Sequence, residues 1–179
     1  MNIFPSNTAL IIIDVQKFFN DPRWGDRNNP QAEENIATLL EKWRETNRPI
    51  YHIQHVTGSL KPAHEFKDFI KPLPRETLIR KNVNSAFIGT DLKKSLREHQ
   101  IDTLVIVGLT TNHCVETTTR MAGNLGFNTF LVTDATATFD RIGPDGIVYS
   151  AEMIHNMTMV NLNEEFATIV TTKQVLEYT

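Results

Sequence analysis

The sequence has one cysteine among its 179 residues, which excludes an internal disulfide framework and fits a reducing compartment. Long apolar runs are also missing. The longest, Ala9 to Ile13, is far too short to span a bilayer, and no basic segment precedes it as in a signal peptide. A cytoplasmic protein without a membrane partner is therefore expected. Neither sign of charge dominates: 18 Lys and Arg face 21 Asp and Glu, scattered along the chain, so the basic stripe that nucleic-acid binding requires is absent. Repeats, low-complexity tracts and Gly/Ser linkers are lacking too, which leaves one continuous domain over residues 1–179. A chain of this length buries roughly 70% of its unfolded surface and needs no staples. These exclusions leave a small molecule as the expected partner.

What is present is an alternation of strands and helices. Runs at Ala9–Val15, Ile50–Val56, Thr77–Lys81, Thr103–Leu109, Asn128–Thr133 and Ala167–Thr171 read as strands, all but the third apolar or β-rich without the strict alternation of a half-solvated sheet. Between them, Asn29 reads as the cap of a helix with Pro30 at its first position and Ile36, Leu39, Leu40 and Trp43 as its stripe. Asp91–His99 carries Leu92 and Leu96. Val115–Leu125 carries Thr118, Met121 and Ala122 and stops at Gly126, and Tyr149–Leu162 carries Ile154, Met157 and Leu162. The expectation is an α/β, Rossmann-like fold of three layers, with a mostly parallel six-stranded sheet and helices on both faces.

Ligands of such sheets bind outside the carboxyl ends of the strands, and three reactive residues fall there. Asp14 ends Ile11-Ile12-Ile13, Lys81 ends Leu78-Ile79-Arg80, and Cys114 lies just past Val107-Gly108-Leu109, where a helix begins. A lone cysteine is by default a small buried hydrophobe. A helix N-terminus, however, favours the thiolate, and a lysine between a carboxylate and a thiol lowers the pKa of both, so a depressed thiol pKa is expected.

At these residues the chain resembles the isochorismatase-like cysteine hydrolases. The resemblance is carried by Ile11-Ile12-Ile13-Asp14-Val15-Gln16, by Arg80-Lys81-Asn82-Val83-Asn84-Ser85-Ala86-Phe87, by Gly108-Leu109-Thr110-Thr111-Asn112-His113-Cys114-Val115 and by Val132-Thr133-Asp134-Ala135-Thr136-Ala137-Thr138-Phe139. It runs from about Leu10 to Val170. It implies a thiolate nucleophile at Cys114, a general base and proton shuttle at Asp14, and an orienting, charge-stabilising Lys81. It further implies an oxyanion hole from the backbone N–H groups of Thr110 and Cys114, a cis peptide at Leu109-Thr110, and assembly as a homodimer or homotetramer. The implied chemistry is hydrolysis of an amide or ureide C–N bond through a thioester, because the branch that cleaves the vinyl ether of isochorismate lacks the cysteine. Pocket walls are implied at Gln16, Phe19, Trp24, Asn84 and Phe87, with the loop from Thr138 to Arg141 closing the pocket from another subunit.

Nicotinamidases of this family hold a metal through an Asp-x-His pair, whereas this chain reads His52-Ile53-Gln54-His55-Val56. His52 and His55, three apart on a strand, point to opposite faces and cannot share an ion. No metal or other cofactor is expected, nor is nicotinamidase activity, and His64, His99, His113 and His155 read as structural. Two competing functions stay open: an isochorismatase-type vinyl ether or ester hydrolase with an incidental thiol, and a redox-sensing or ligand-binding protein without turnover.

Overall fold

The apolar runs become a sheet buried on both faces. A computed structural model describes residues 4–179; of the domain expected over 1–179, residues 1–3 lie outside the described residues. The elements are β1 (Ala9–Ile13), α1 (Ala32–Glu45), β2 (Ile50–His55), β3 (Thr77–Lys81), α2 (Leu92–Glu98), β4 (Thr103–Leu109), α3 (Glu116–Asn124), β5 (Asn128–Ala137), β6 (Arg141–Ile142), β7 (Val148–Tyr149), α4 (Ala151–Leu162), β8 (Thr168–Val170) and α5 (Thr172–Tyr178). Six strands form one sheet in the order β3-β2-β1-β4-β5-β8, and every neighbouring pair is parallel. The α/β expectation therefore holds. Successive side chains of a strand alternate faces, so β1 sends Ile11 and Ile13 to a core shared with α2, α3 and α4, and Leu10 and Ile12 to one shared with α1 and α5. With both faces covered, no polar residue interrupts the run. No helix among the described residues is long and apolar enough to cross a membrane.

The strand order reverses between β1 and β4, the switch point where open α/β sheets leave a crevice. Two departures from the sequence reading bear on that region. Asn29 does not cap α1: it sits at φ 45°, outside the extended region a cap residue adopts, and its amide donates to the carbonyls of Thr133 and Thr136 (2.9 and 2.8 Å). The helix begins at Ala32 instead. β5 also runs past Thr133 to Ala137, because pairing with β4 jumps from Ile106↔Leu131 to Gly108↔Thr136. Asn29 and Asn35 satisfy the carbonyls freed by this bulge, those of Thr133, Asp134 and Thr136. In α4 the expected stripe is partly wrong: Met157 is exposed, and the face that packs inward carries His155, Thr158, Met159 and Leu162. The β6–β7 hairpin and α5 lie outside the elements expected from the sequence, although Pro144-Asp145-Gly146 marks the hairpin turn and the Thr171/Gln174 capping box opens α5.

Candidate active site

Three strand ends bring the reactive side chains together. Gly108 makes this possible, since at φ 127° a Cβ there would lie 2.1 Å from the carbonyl oxygen of Ile13, so only glycine lets β4 lie this close to the end of β1. Asp14 follows at once, itself at a positive φ of 50°. Beyond β4 the Leu109-Thr110 peptide is cis, and the chain enters a wide, π-type turn, Thr111–Val115, that carries Cys114 into α3. Such turns recur at functional sites. The carbonyl of Thr110 accepts from both His113 N–H (3.1 Å) and Val115 N–H (3.3 Å), and His155 of α4 bridges Thr111 and Thr133 through its two ring nitrogens (3.1 and 3.0 Å). The turn is thereby tied to the sheet and to a helix.

Lys81 reaches across from β3. Its Nζ donates to Asp14 Oδ2 at 2.6 Å, to Cys114 Sγ at 3.3 Å and to His55 Nδ1 at 2.9 Å. An ammonium has three protons, and each meets an acceptor here. The lysine side chain is fully buried and that of Asp14 is nearly so. The other carboxylate oxygen, Asp14 Oδ1, is buried with no hydrogen-bond partner among the described residues. A buried acceptor without a donor is costly, and the carboxylate that carries it has an oxygen within 4.8 Å of the Cys114 sulfur.

The electrostatics overturn the expected thiolate. Burial pushes the Cys114 thiol up to about 12, the charge of Asp14 adds to this, and Lys81 only partly opposes it. Asp14 is likewise raised above the usual carboxylate range, because burial outweighs the charge and hydrogen bond of Lys81. The reason is that Lys81 sits 2.6 Å from a carboxylate: the sulfur faces a compensated pair rather than a free cation, and desolvation decides. At rest the thiol keeps its proton.

Above this cluster opens a cavity of about 380 Å³, the size of a small-molecule site. Asp14, Cys114 and Thr110 form its floor, and Phe18, Phe19 and Trp24 one wall, with Phe139 stacked behind Phe19 and Trp24 at 6.1 and 5.2 Å between ring centres. Asn84 borders it, its Oδ1 3.9 Å from Cys114 Sγ. Two expected wall residues behave differently. Phe87 does not reach the cavity; its ring stacks on Phe127, 5.8 Å away, against the core. Gln16 borders the cavity, yet its amide is occupied by the backbone of His55 and His64. Two histidines read as structural, His64 and His113, line the cavity together with His55. Strand parity separates His52 from His55 as expected: His52 is fully buried against Glu76, while His55 faces the site. Parity places His55 on the site face; nothing in the sequence pairs it with Lys81.

Asp14, His55 and Cys114 each offer a ligand atom within 4.8 Å of the others, a spacing a metal ion could bridge. The Nζ of Lys81 lies within hydrogen-bond distance of all three atoms, so an ion there would have to displace a buried ammonium. The donor set fits a protein-supplied cation better than a metal.

Comparison with known proteins shows what the chain as a whole is similar to. The family model described as Isochorismatase domain matches residues 8–174. The chain is 50% identical over 175 residues to an uncharacterised isochorismatase family protein, YrdC, of Bacillus subtilis, covering 94% of each chain. It is 37% identical to Nicotinamidase 3 of Arabidopsis thaliana, covering 90% of this chain and 83% of that one. Among solved structures, an isochorismatase-family protein from Chromobacterium violaceum superposes with a TM-score of 0.95 at 39% identity, over 99% of this chain and 96% of the other.

Proposed function

Because the chain belongs to the isochorismatase family, whose members are hydrolases, we propose that it cleaves an amide or ureide C–N bond of a small molecule through a thioester on Cys114, without a metal. One observation carries this reading: the buried Nζ of Lys81 bridges Asp14 and Cys114, at 2.6 and 3.3 Å, beneath a cavity of small-molecule size. The similarity to a nicotinamidase supports an amide as the bond cleaved.

The raised pKa values define the order of events. A protonated thiol is a poor nucleophile, so its proton leaves as Sγ attacks the carbonyl carbon, and the neighbouring carboxylate of Asp14 receives it. Lys81 keeps Asp14 oriented and balances charge while the proton moves. The carbonyl oxygen becomes an oxyanion held by the backbone N–H groups of Thr110 and Cys114, each donor contributing about 3 kcal/mol to lowering the barrier. Collapse breaks the C–N bond, and the departing nitrogen takes the proton from Asp14. Water then adds to the thioester with Asp14 again as base, the C–S bond breaks, and the thiol recovers its proton with release of the acid.

The aromatic wall of Phe18, Phe19 and Trp24 supports a flat or apolar substrate body. The test is a panel of small amides and ureides, nicotinamide among them, followed by ammonia release and intact mass. An acyl adduct on the wild type and a fall of at least about a thousandfold in Cys114→Ala are expected. Full turnover in that variant would remove the nucleophile from the scheme.

A further inference from the structure

The reaction above leaves one contact unused: the imidazole held against Lys81 at the end of β2. It is held by a device. The buried amide of Gln16 accepts from His55 N–H through Oε1 (2.9 Å) and donates through Nε2 to the carbonyls of His55 (3.0 Å) and His64 (2.7 Å). Gln54 donates to the same His64 carbonyl at 2.9 Å. Both ends of one amide thus fix the backbone that carries the ring.

The clamp also fixes the ring's proton. His55 Nδ1 lies 2.9 Å from Lys81 Nζ, and an ammonium only donates, so Nδ1 accepts. The proton of the neutral ring is then on Nε2. The groups facing the ring are Asp14 from the end of β1, Lys81 from β3, Cys114 from the turn after β4 and His64 from the loop after β2. Burial, Lys81 and His64 lower the imidazole pKa and Asp14 opposes them, so the ring is neutral at pH 7. The side chain is 27% exposed and lines the cavity, and with Nδ1 turned to the lysine the Nε2–H bond points away from it.

We propose that His55 is a substrate-binding residue whose Nδ1 accepts the third N–H of Lys81 and whose Nε2–H is a fixed donor to a second acceptor atom of the substrate. The substrate class narrows to small amides or ureides with another carbonyl oxygen or ring nitrogen near the scissile carbonyl. This second half rests on the amide hydrolase reading; the tautomer does not.

The test has two arms. In uniformly ¹⁵N-labelled wild-type protein at pH 7, long-range histidine correlations should find His55 with a bare Nδ1 and a protonated Nε2. A ring protonated on Nδ1, or on both nitrogens, overturns the proposal. In the second arm, paired amides of equal size, with and without the second acceptor, are compared by kcat/KM. Wild type should prefer the acceptor-bearing member by up to about tenfold, the worth of one net hydrogen bond. His55→Leu should lose that preference and His55→Gln, which keeps an acceptor and a donor, should recover most of it. An equal preference in wild type and His55→Leu, or none in wild type, sinks the donor role. Cys114→Ala separates the two ideas: turnover surviving there defeats the hydrolase scheme, and the resonances still judge His55. Should His55→Leu not fold, the resonances and His55→Gln carry the decision.

Discussion

The chemistry of Cys114 turns on which neighbour the ammonium serves. Lys81 stands closer to Asp14 than to the sulfur, 2.6 against 3.3 Å, and so stabilises the carboxylate while leaving the thiol protonated in a desolvated site. Alkylation measures this directly. The iodoacetamide rate at Cys114 should keep rising with pH through 10 without a plateau, because the thiol is pushed up to about 12. A midpoint at or below the ordinary value of about 8.5 would mean that Lys81 activates the thiol in the resting protein. Asp14, Lys81 and Cys114 were legible as single residues because each ends or follows a strand, apolar in the case of Asp14 and Cys114, and strand ends are where such a sheet keeps its crevice. Phe87 was misread since its adjacency to Lys81 in sequence says nothing about the direction of its ring, which the core residue Phe127 captures. His55 was missed as a member because one chain gives strand parity but not the reach of a lysine from the next strand.

At the level of elements, the site depends on how closely β4 approaches β1. Gly108→Ala would put a methyl 2.1 Å from the Ile13 carbonyl oxygen and 2.6 Å from its nitrogen, both backbone atoms that cannot rotate away. The positive φ adds its own penalty. We expect a loss of about 3 kcal/mol or more, which for a chain of this size lowers Tm by roughly 6–12 °C. Since Asp14 and the Cys114 turn flank this crossing, hydrolysis should fall further than stability alone accounts for. A thermal scan with Tm within 2 °C of wild type would show that the strands can part at little cost. The β5 bulge is a second element-level device, because its extra residues carry carbonyls that Asn29 and Asn35 must satisfy. Nothing in the run Asn128–Thr133 announces it; the signal lies in two asparagines about a hundred residues upstream.

Across the whole molecule, one buried carboxylate ties α1, β2 and the approach to β3 together. Glu76 accepts from Arg44 Nε (2.7 Å) and from Leu73 N–H (2.9 Å), and it pairs with His52 Nε2 (2.8 Å). Burial alone would raise its pKa, but these partners outweigh it and hold the carboxyl down at about 2. Its ordinary value is 4.5, so its contribution is full above that pH and is lost as pH falls toward 2, amounting to about 2–3 kcal/mol. His52 acts in the same sense. Burial depresses its pKa below 6.5, so the unfolded chain binds the proton first and stability drops as pH falls through that range. Asp14, raised instead, gains stability on acidification and offsets part of the loss. Urea midpoints should therefore decline from pH 7 to pH 3, and Glu76→Gln should flatten the curve below about pH 4.5. Parallel curves for variant and wild type would assign the acid limb to other groups.

The sequence by itself determined the α/β class and the strand ends on which the three reactive residues stand: burial on both faces writes the uninterrupted apolar runs before Asp14 and Cys114, and polar residues enter where those runs stop. Tertiary structure alone decided the charge state of the site. Whether Lys81 activates a thiol or compensates a carboxylate depends on a difference of less than an ångström between two contacts, and on desolvation that no single strand provides. It also brought in His55 through the reach of a lysine from a neighbouring strand and the amide of Gln16, contacts set by packing across the sheet rather than by spacing along the chain.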